Sequence, residues 1–344
     1  MPMKRIFTTL SIVCLFACTM FGQSSIEVNL DKASLEESLK DVKEPIHNLT
    51  LSGKPRPEDF DYLRSKILSD IIKLDLSDVD LDTIPSKTFY AKIYYNYKNE
   101  TRPQIVLPKT LKHLADSALW VITDYGYVKY ELASSTYPTL GKDVYNSHGQ
   151  YNGNEIIPSS GNTSFIIDNN ILYSSDGITA YHYNGGEDDV VKKGTRLIYG
   201  NFMENGKYAS GFTLSETIDS IGDRAFANVY VNVRIDGIGR AEFICLAPIP
   251  PKLGKDVFSK DVFLESDICV VPVYVPDESV ELYRSTEGWK ELSITPLSSR
   301  RVNGIEDITT GKQSSSDFYD IQGRKVQKPT KGVYIKDGKK AFVK

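Results

Sequence analysis

Two different blocks of this chain recur in the same order, and that recurrence limits the fold more than any other feature. Ile105 to Leu119 reads IVLPKTLKHLADSAL and Phe212 to Phe226 reads FTLSETIDSIGDRAF. Superposed, Leu107 falls on Leu214, Leu111 on Ile218, Leu114 on Ile221, Asp116 on Asp223, Ala118 on Ala225 and Leu119 on Phe226. Behind each lies a second pair, Tyr137 to Tyr145 (YPTLGKDVY) and Pro250 to Phe258 (PPKLGKDVF). A degenerate earlier copy, LSDVDLDTIPSKTF, runs from Leu76 to Phe89. A unit this short cannot bury its own apolar side, so neighbours must stack and bury it for one another, which is the physics of a solenoid.

The rest of the chain divides around that array. Residues 1–22 predict a secretory signal: Lys4 and Arg5 precede an apolar run from Ile6 to Phe16, with cleavage near Gly22. Leu15-Phe16-Ala17-Cys18 offers the competing reading, lipid attachment at Cys18, although Phe16 stands where a lipoprotein signal carries a small or polar residue. No later segment approaches the apolar length of a transmembrane helix. Residues 23–73 read as an N-terminal cap with helices near Leu30–Leu39 and Phe60–Leu68. Residues 74–297 read as the solenoid, interrupted at about 159–210 by Asn-, Gly- and Tyr-rich β-hairpins. A Ser-rich linker covers 298–316, and 317–344 reads as a small all-β module of two hairpins.

Composition narrows the chemistry. With 41 Lys and Arg against 45 Asp and Glu, the net charge of -4 argues against nucleic acid as a partner. Four His (His47, His113, His148 and His182) are too few for a polyhistidine metal centre, and no nucleophile elbow, phosphate loop or zinc-protease helix is present. No cofactor is expected. Asp75, Asp78, Asp80 and Asp82 form an acidic comb that reads as a solvated strand face, with calcium as the alternative. The 21 Tyr and 14 Phe are the unusual entries. Tyr94, Tyr95, Tyr97, Tyr199, Tyr208 and Tyr230 are the ligand-contact residues proposed from sequence, against ordinary cross-strand packing. Trp289, with Pro276, Tyr283 and Leu292, reads as the plug at the open end of the stack. Beyond the leader only Cys245 and Cys269 remain, either joined as a single disulfide or separate as two buried thiols.

The units LPKTLKHLADSAL and LSETIDSIGDRAF, with APIPPKLGKDVF and the following VYVPDESVELYRSTEGWKEL, resemble the BspA-type (TpLRR) leucine-rich repeat proteins of bacterial surfaces. The tail DFYDIQGRKVQKPTKGVYIKDGKKAFVK is similar to C-terminal modules related to the type IX secretion sorting domain. The resemblance implies an α/β solenoid of leucine-rich repeats, secreted or held on the outer surface of a Gram-negative bacterium. It implies adhesion to a host or bacterial surface protein or glycan, and no shared catalytic site. Two other readings stay open: a secreted polysaccharide- or protein-degrading hydrolase using carboxylates among Glu187, Asp188 and Asp189, and a structural spacer that displays another module.

Overall fold

A computed structural model describes residues 25–90, 102–121, 128–145, 154–185, 189–208, 211–231, 242–258 and 270–300, and in the tail 318–319, 325–326, 332–336 and 339–343. The chain divides into two compact units, 1–299 and 300–344.

In the larger unit the chain is a parallel-strand, solenoid-like stack. Strands Ser25–Asn29, Asn48–Gly53, Lys73–Val79, Gln104–Leu107, Lys129–Leu132 and Glu155–Pro158 pair in parallel, in that order. The register aligns Ile26, Leu49, Leu74, Ile105, Tyr130 and Ile156, one per coil, on the inward face. A second parallel sheet repeats the pattern with Asp189–Val190, Gly211–Leu214, Glu242–Cys245, Val273–Val275 and Ile294–Pro296. Burial alternates in Asn48–Gly53, Lys129–Leu132 and Val273–Val275, as half-buried strands require, whereas Gln104–Leu107 and Glu242–Cys245 are buried over three consecutive residues.

Three expectations need correction. The architecture is largely β, with helices among the described residues reduced to Leu35–Leu39, Pro57–Tyr62 with a π-helical continuation to Ile67, Val280–Ser285 behind one 3-10 turn, and a 3-10 turn at Leu297–Ser299. Near the start, the alternation of Ile26, Val28 and Leu30 outweighs the wider Leu spacing, so a strand forms before a single helical turn. Within the segment 23–73 the strands Ser25–Asn29 and Asn48–Gly53 are the first members of the first sheet. The antiparallel insertion is also shorter than 159–210. It consists of Phe165–Asp168, Ile171–Ser174 and Thr179–Tyr183, whereas Leu197–Ile198 already pairs in parallel on both sides.

Later coils make a second, short strand and a tight corner. Thr83–Ile84, His113–Leu114 and Thr139–Leu140 form one short row, and Thr179–Tyr183, Leu197–Ile198, Ser220–Ile221 and Lys252–Leu253 another. Three residues after Ile84, Leu114, Leu140, Ile198, Ile221 and Leu253 stand Lys87, Ser117, Asp143, Asn201, Arg224 and Asp256, all left-handed with φ between 48° and 58°. The strain of a non-glycine residue there is offset by cross-coil bonds. Ser117 N–H donates to the Lys142 carbonyl, Asn201 N–H to Asp223 and Arg224 N–H to Lys255, each at 2.9 Å.

The matched Asp and Gly positions belong to the same corner. Asp116 accepts from Lys142 N–H at 2.7 Å, and Asp223 from Lys255 N–H at 2.8 Å. A Cβ on Gly141 or Gly254 would lie 2.4 or 2.3 Å from that carboxylate oxygen, so only glycine lets the coils close. The two blocks seen as different in sequence are thus successive coils of one kind, the Gly-Lys of one seated on the Asp of the one before.

Inside the second half an aromatic column fills the stack. Phe202, Phe212, Phe226, Phe243 and Phe258 meet at centroid distances of 5.1 to 6.1 Å, and the column ends at Trp289. In the smaller unit the tail is a four-stranded antiparallel sheet ordered Lys325–Val326, Phe318–Tyr319, Gly332–Lys336, Lys339–Val343.

Candidate functional site

The short strand row breaks between Thr139–Leu140 and the inserted meander, and side chains take over the bonding there. Asn201 Nδ2 donates to the Gly141 carbonyl (3.1 Å) and Asn205 Nδ2 to the Tyr145 carbonyl (3.0 Å). Asn184 accepts from Ile156 N–H at 2.6 Å and donates to its carbonyl at 3.0 Å. A longer reach than a backbone ladder allows is thereby bridged without orphaning these carbonyls.

Arg224, on its strained corner, closes the same seam. Its guanidinium pairs with Glu204, Nε to Oε1 at 2.5 Å, and with Asp143 at 3.2 Å. The Glu204 side chain is fully buried, and Asn201 donates to its other oxygen. Burial raises the Glu204 carboxyl above its usual range, with Asn201 and Arg224 opposing that shift.

On the solvent side of the seam stand three tyrosines. The register of Ile171–Ser174 against Thr179–Tyr183 jumps from Leu172 opposite His182 to Tyr173 opposite Ala180. Tyr181 is therefore the extra residue of a β-bulge, a device that re-aims a side chain. It stacks on Tyr137 at 4.4 Å, while Tyr199 meets Tyr137 edge-on at 5.4 Å and Tyr181 at 5.3 Å. Buried Phe165 packs against Tyr137 and Tyr181. Tyr137, Tyr181 and Tyr199 are each half-buried, and Tyr137 Oη lies 3.0 Å from Tyr145 Oη. Desolvation raises all three phenols, most strongly Tyr137. They are neutral rings and hydroxyls, suited to packing and hydrogen bonding rather than nucleophilic attack.

Under the tyrosines lies His182, in ring contact with Tyr145 at 4.7 Å and bonded through Nε2–H to the Asn154 carbonyl at 3.1 Å. Its Nδ1, like the neighbouring Asn154 Nδ2, is buried without a partner. Burial lowers its pKa to about 4. Between pH 4 and the unfolded value near 6.5 the unfolded chain binds the extra proton, so stability falls as the pH drops through that window. The expected loss reaches about 3 kcal/mol by pH 4. Urea titrations of the wild type and His182→Gln between pH 7 and 4 check this: the variant should lose that part of the slope, and parallel profiles would refute the assignment.

Of the residues singled out from sequence, Tyr199 falls in this group. Tyr208 and Tyr230 belong to adjacent parallel strands, Lys207–Tyr208 and Tyr230–Val231, paired Lys207 to Tyr230 and Tyr208 to Val231. Tyr94, Tyr95, Tyr97, His148, Glu187, Asp188 and Cys269 lie outside the described residues. Cys245 is a free, buried thiol 3.2 Å from Tyr283 Oη. The seat of Cys245 is an inward strand position among apolar neighbours and Tyr283, where burial pushes the thiol up to about 11. The acidic comb does not converge: Asp75 accepts from Ser77 N–H, Asp78 pairs with Lys109 at 2.8 Å and Asp82 with Lys112 at 3.8 Å. Among the described residues no three His, Cys, Asp or Glu gather as a metal site. Tyr137 and Tyr181 are not among the contact residues proposed from sequence, because only the strand register reveals the bulge that joins them.

No family model matches the chain, and no curated protein matches it. A solved structure titled "The Crystal structure of Pneumococcal vaccine antigen PcpA" is similar at 14% identity and a TM-score of 0.27, over 80% of this chain and 82% of that one. A superposition that loose carries no argument about this chain.

Proposed function

We propose that the chain is an exported, non-catalytic binding protein of the BspA-like leucine-rich repeat kind. Its stacked coils present a recognition surface to a protein or glycan at a bacterial outer surface. The observation that carries the reading is the meeting of Tyr137, Tyr181 and Tyr199, three half-buried rings from three coils, at a seam held by charged and amide side chains. A rigid scaffold with amphipathic aromatic side chains at its surface is the usual anatomy of a contact site. The leader-like residues 1–22 support export, and the tail's resemblance to a sorting module supports surface delivery. Among the described residues no helix is long and apolar enough to cross a membrane.

A glycan array and a panel of surface proteins, probed with the wild-type chain and with Tyr181→Ala/Tyr199→Ala, test the proposal. Saturable binding that weakens at least tenfold in the variant, with unchanged far-UV circular dichroism, is the expected result. Equal binding by both chains would place recognition elsewhere, and saturable turnover of a substrate would replace the reading with a hydrolase.

A further inference from the structure

Charge is unevenly divided along the chain. Residues 317–344 carry eight Lys and Arg against three Asp, a net of +5, in a chain whose total is -4. The remaining residues therefore hold a net of -9. Such asymmetry points to an interaction made by the basic part alone.

The strand register concentrates these charges. Lys336 lies directly opposite Lys339, and on the other face of the same strand pair Lys340 is opposite Ile335. Like charges at directly opposed positions destabilise a hairpin, and a bound anion removes that repulsion. One row crosses all four strands on a shared face: Lys325 opposite Tyr319, Tyr319 opposite Ile335, Ile335 opposite Lys340. At ordinary strand spacing the two lysine positions lie roughly 14 Å apart, with a tyrosine and an isoleucine position between them.

We infer that the C-terminal sheet is a binding site for an anionic polysaccharide. Lysine positions at both ends of a row that includes a tyrosine suit a polymer that alternates acid groups with sugar rings. Such a polymer offers carboxylate or sulfate, the partners that lysine takes, and the apolar sugar face on which a tyrosine packs. The module's basic character supplies the long-range attraction, which salt screens.

The experiment is affinity chromatography and titration calorimetry of the full chain on heparin and on polygalacturonate. It compares the wild type with Lys339→Gln/Lys340→Gln and Lys325→Gln, and with Lys43→Gln/Lys66→Gln in the larger unit as control. Expected is wild-type retention that falls with salt, at least fivefold weakening in the double variant, a smaller loss in Lys325→Gln and none in the control. Removing one lysine of the opposed pair relieves repulsion, so the double variant keeps its hairpin, and Lys325→Gln probes a different strand. Absence of wild-type retention, or equal retention of all variants, would overturn the inference. So would binding only to phosphatidylserine vesicles, or only self-association in sedimentation that the same variants abolish.

Discussion

Arg224→Met is expected to destabilise the larger unit by about 3–5 kcal/mol, because it leaves the fully buried Glu204 carboxylate without its cation. The side chain lost is only one of two partners, since Asn201 still donates to Glu204, and Asp143 is exposed enough to find water. The double variant Glu204→Leu/Arg224→Met removes the buried charge with its partner and should recover most of the loss, the ordinary outcome when an ion pair is replaced by apolar residues of similar volume. The pH dependence gives an independent reading. In Arg224→Met the folded carboxyl titrates above its unfolded value near 4.3, so the folded state holds the extra proton and stability falls as pH rises through that interval. The deficit relative to the wild type should therefore be smaller near pH 4 than at pH 7. The His182 contribution is common to both chains and cancels in the difference. Urea midpoints of the three chains at the two pH values decide the matter. A single variant within 1 kcal/mol of the wild type at pH 7 would mean that the seam does not depend on this pair.

How much of this was legible beforehand follows from which residues act locally. Asp116, Asp223, Gly141 and Gly254 recur in sequence because each coil needs the same carboxylate-to-backbone bond and the same missing Cβ. That demand stays within one repeat and its neighbour, so superposing the copies exposes it. The coil at Leu197–Met203 was not recognised as a copy. It has Tyr199 where its neighbours carry Gly141 and Gly222, and Gly200 where they carry Lys142 and Asp223, and its cross-seam bonding runs through the Asn201 amide instead. The Glu204–Arg224–Asp143 clasp joins residues as far apart as 81 positions, and no periodicity marks it. The same holds for Tyr137 and Tyr181, which meet because one residue is added to a strand. His182 reads in sequence as an ordinary strand histidine, because its burial is set by packing across coils. Repetition reports the regular part of a solenoid, and the irregular seam, where the candidate site lies, departs from the repeat by construction.

The end of the aromatic column is the other place where one side chain holds much of the fold. Trp289 is fully buried, edge-on to Tyr283 at 4.9 Å and to Phe258 at 5.6 Å, and its Nε1–H donates to the Pro251 carbonyl at 2.9 Å. Gly288 precedes it at φ +79°, and a Cβ there would lie 2.9 Å from Leu253 Cδ1, so the turn delivers the indole onto the last short strand. Tyr283 Oη, bonded to the Ala247 carbonyl at 2.8 Å, backs the indole from Val280–Ser285. Trp289→Ala opens a cavity of indole size at the terminus of a stack whose coils support only their neighbours, and about 3–5 kcal/mol of destabilisation is expected. Trp289→Phe keeps ring contacts but strands the Pro251 carbonyl, for a loss of about 1–3 kcal/mol. Because coupling runs from neighbour to neighbour, damage should be graded along the array. Amide hydrogen exchange of Trp289→Ala should show protection lost first at Val273 and Ile294, whose N–H groups bond to Ser293 and Leu292, and retained at Ile105 in the first sheet. Uniform loss of protection in both sheets would show instead that the larger unit opens as one cooperative block, and unchanged protection at Ile294 would mean that the indole is not the plug.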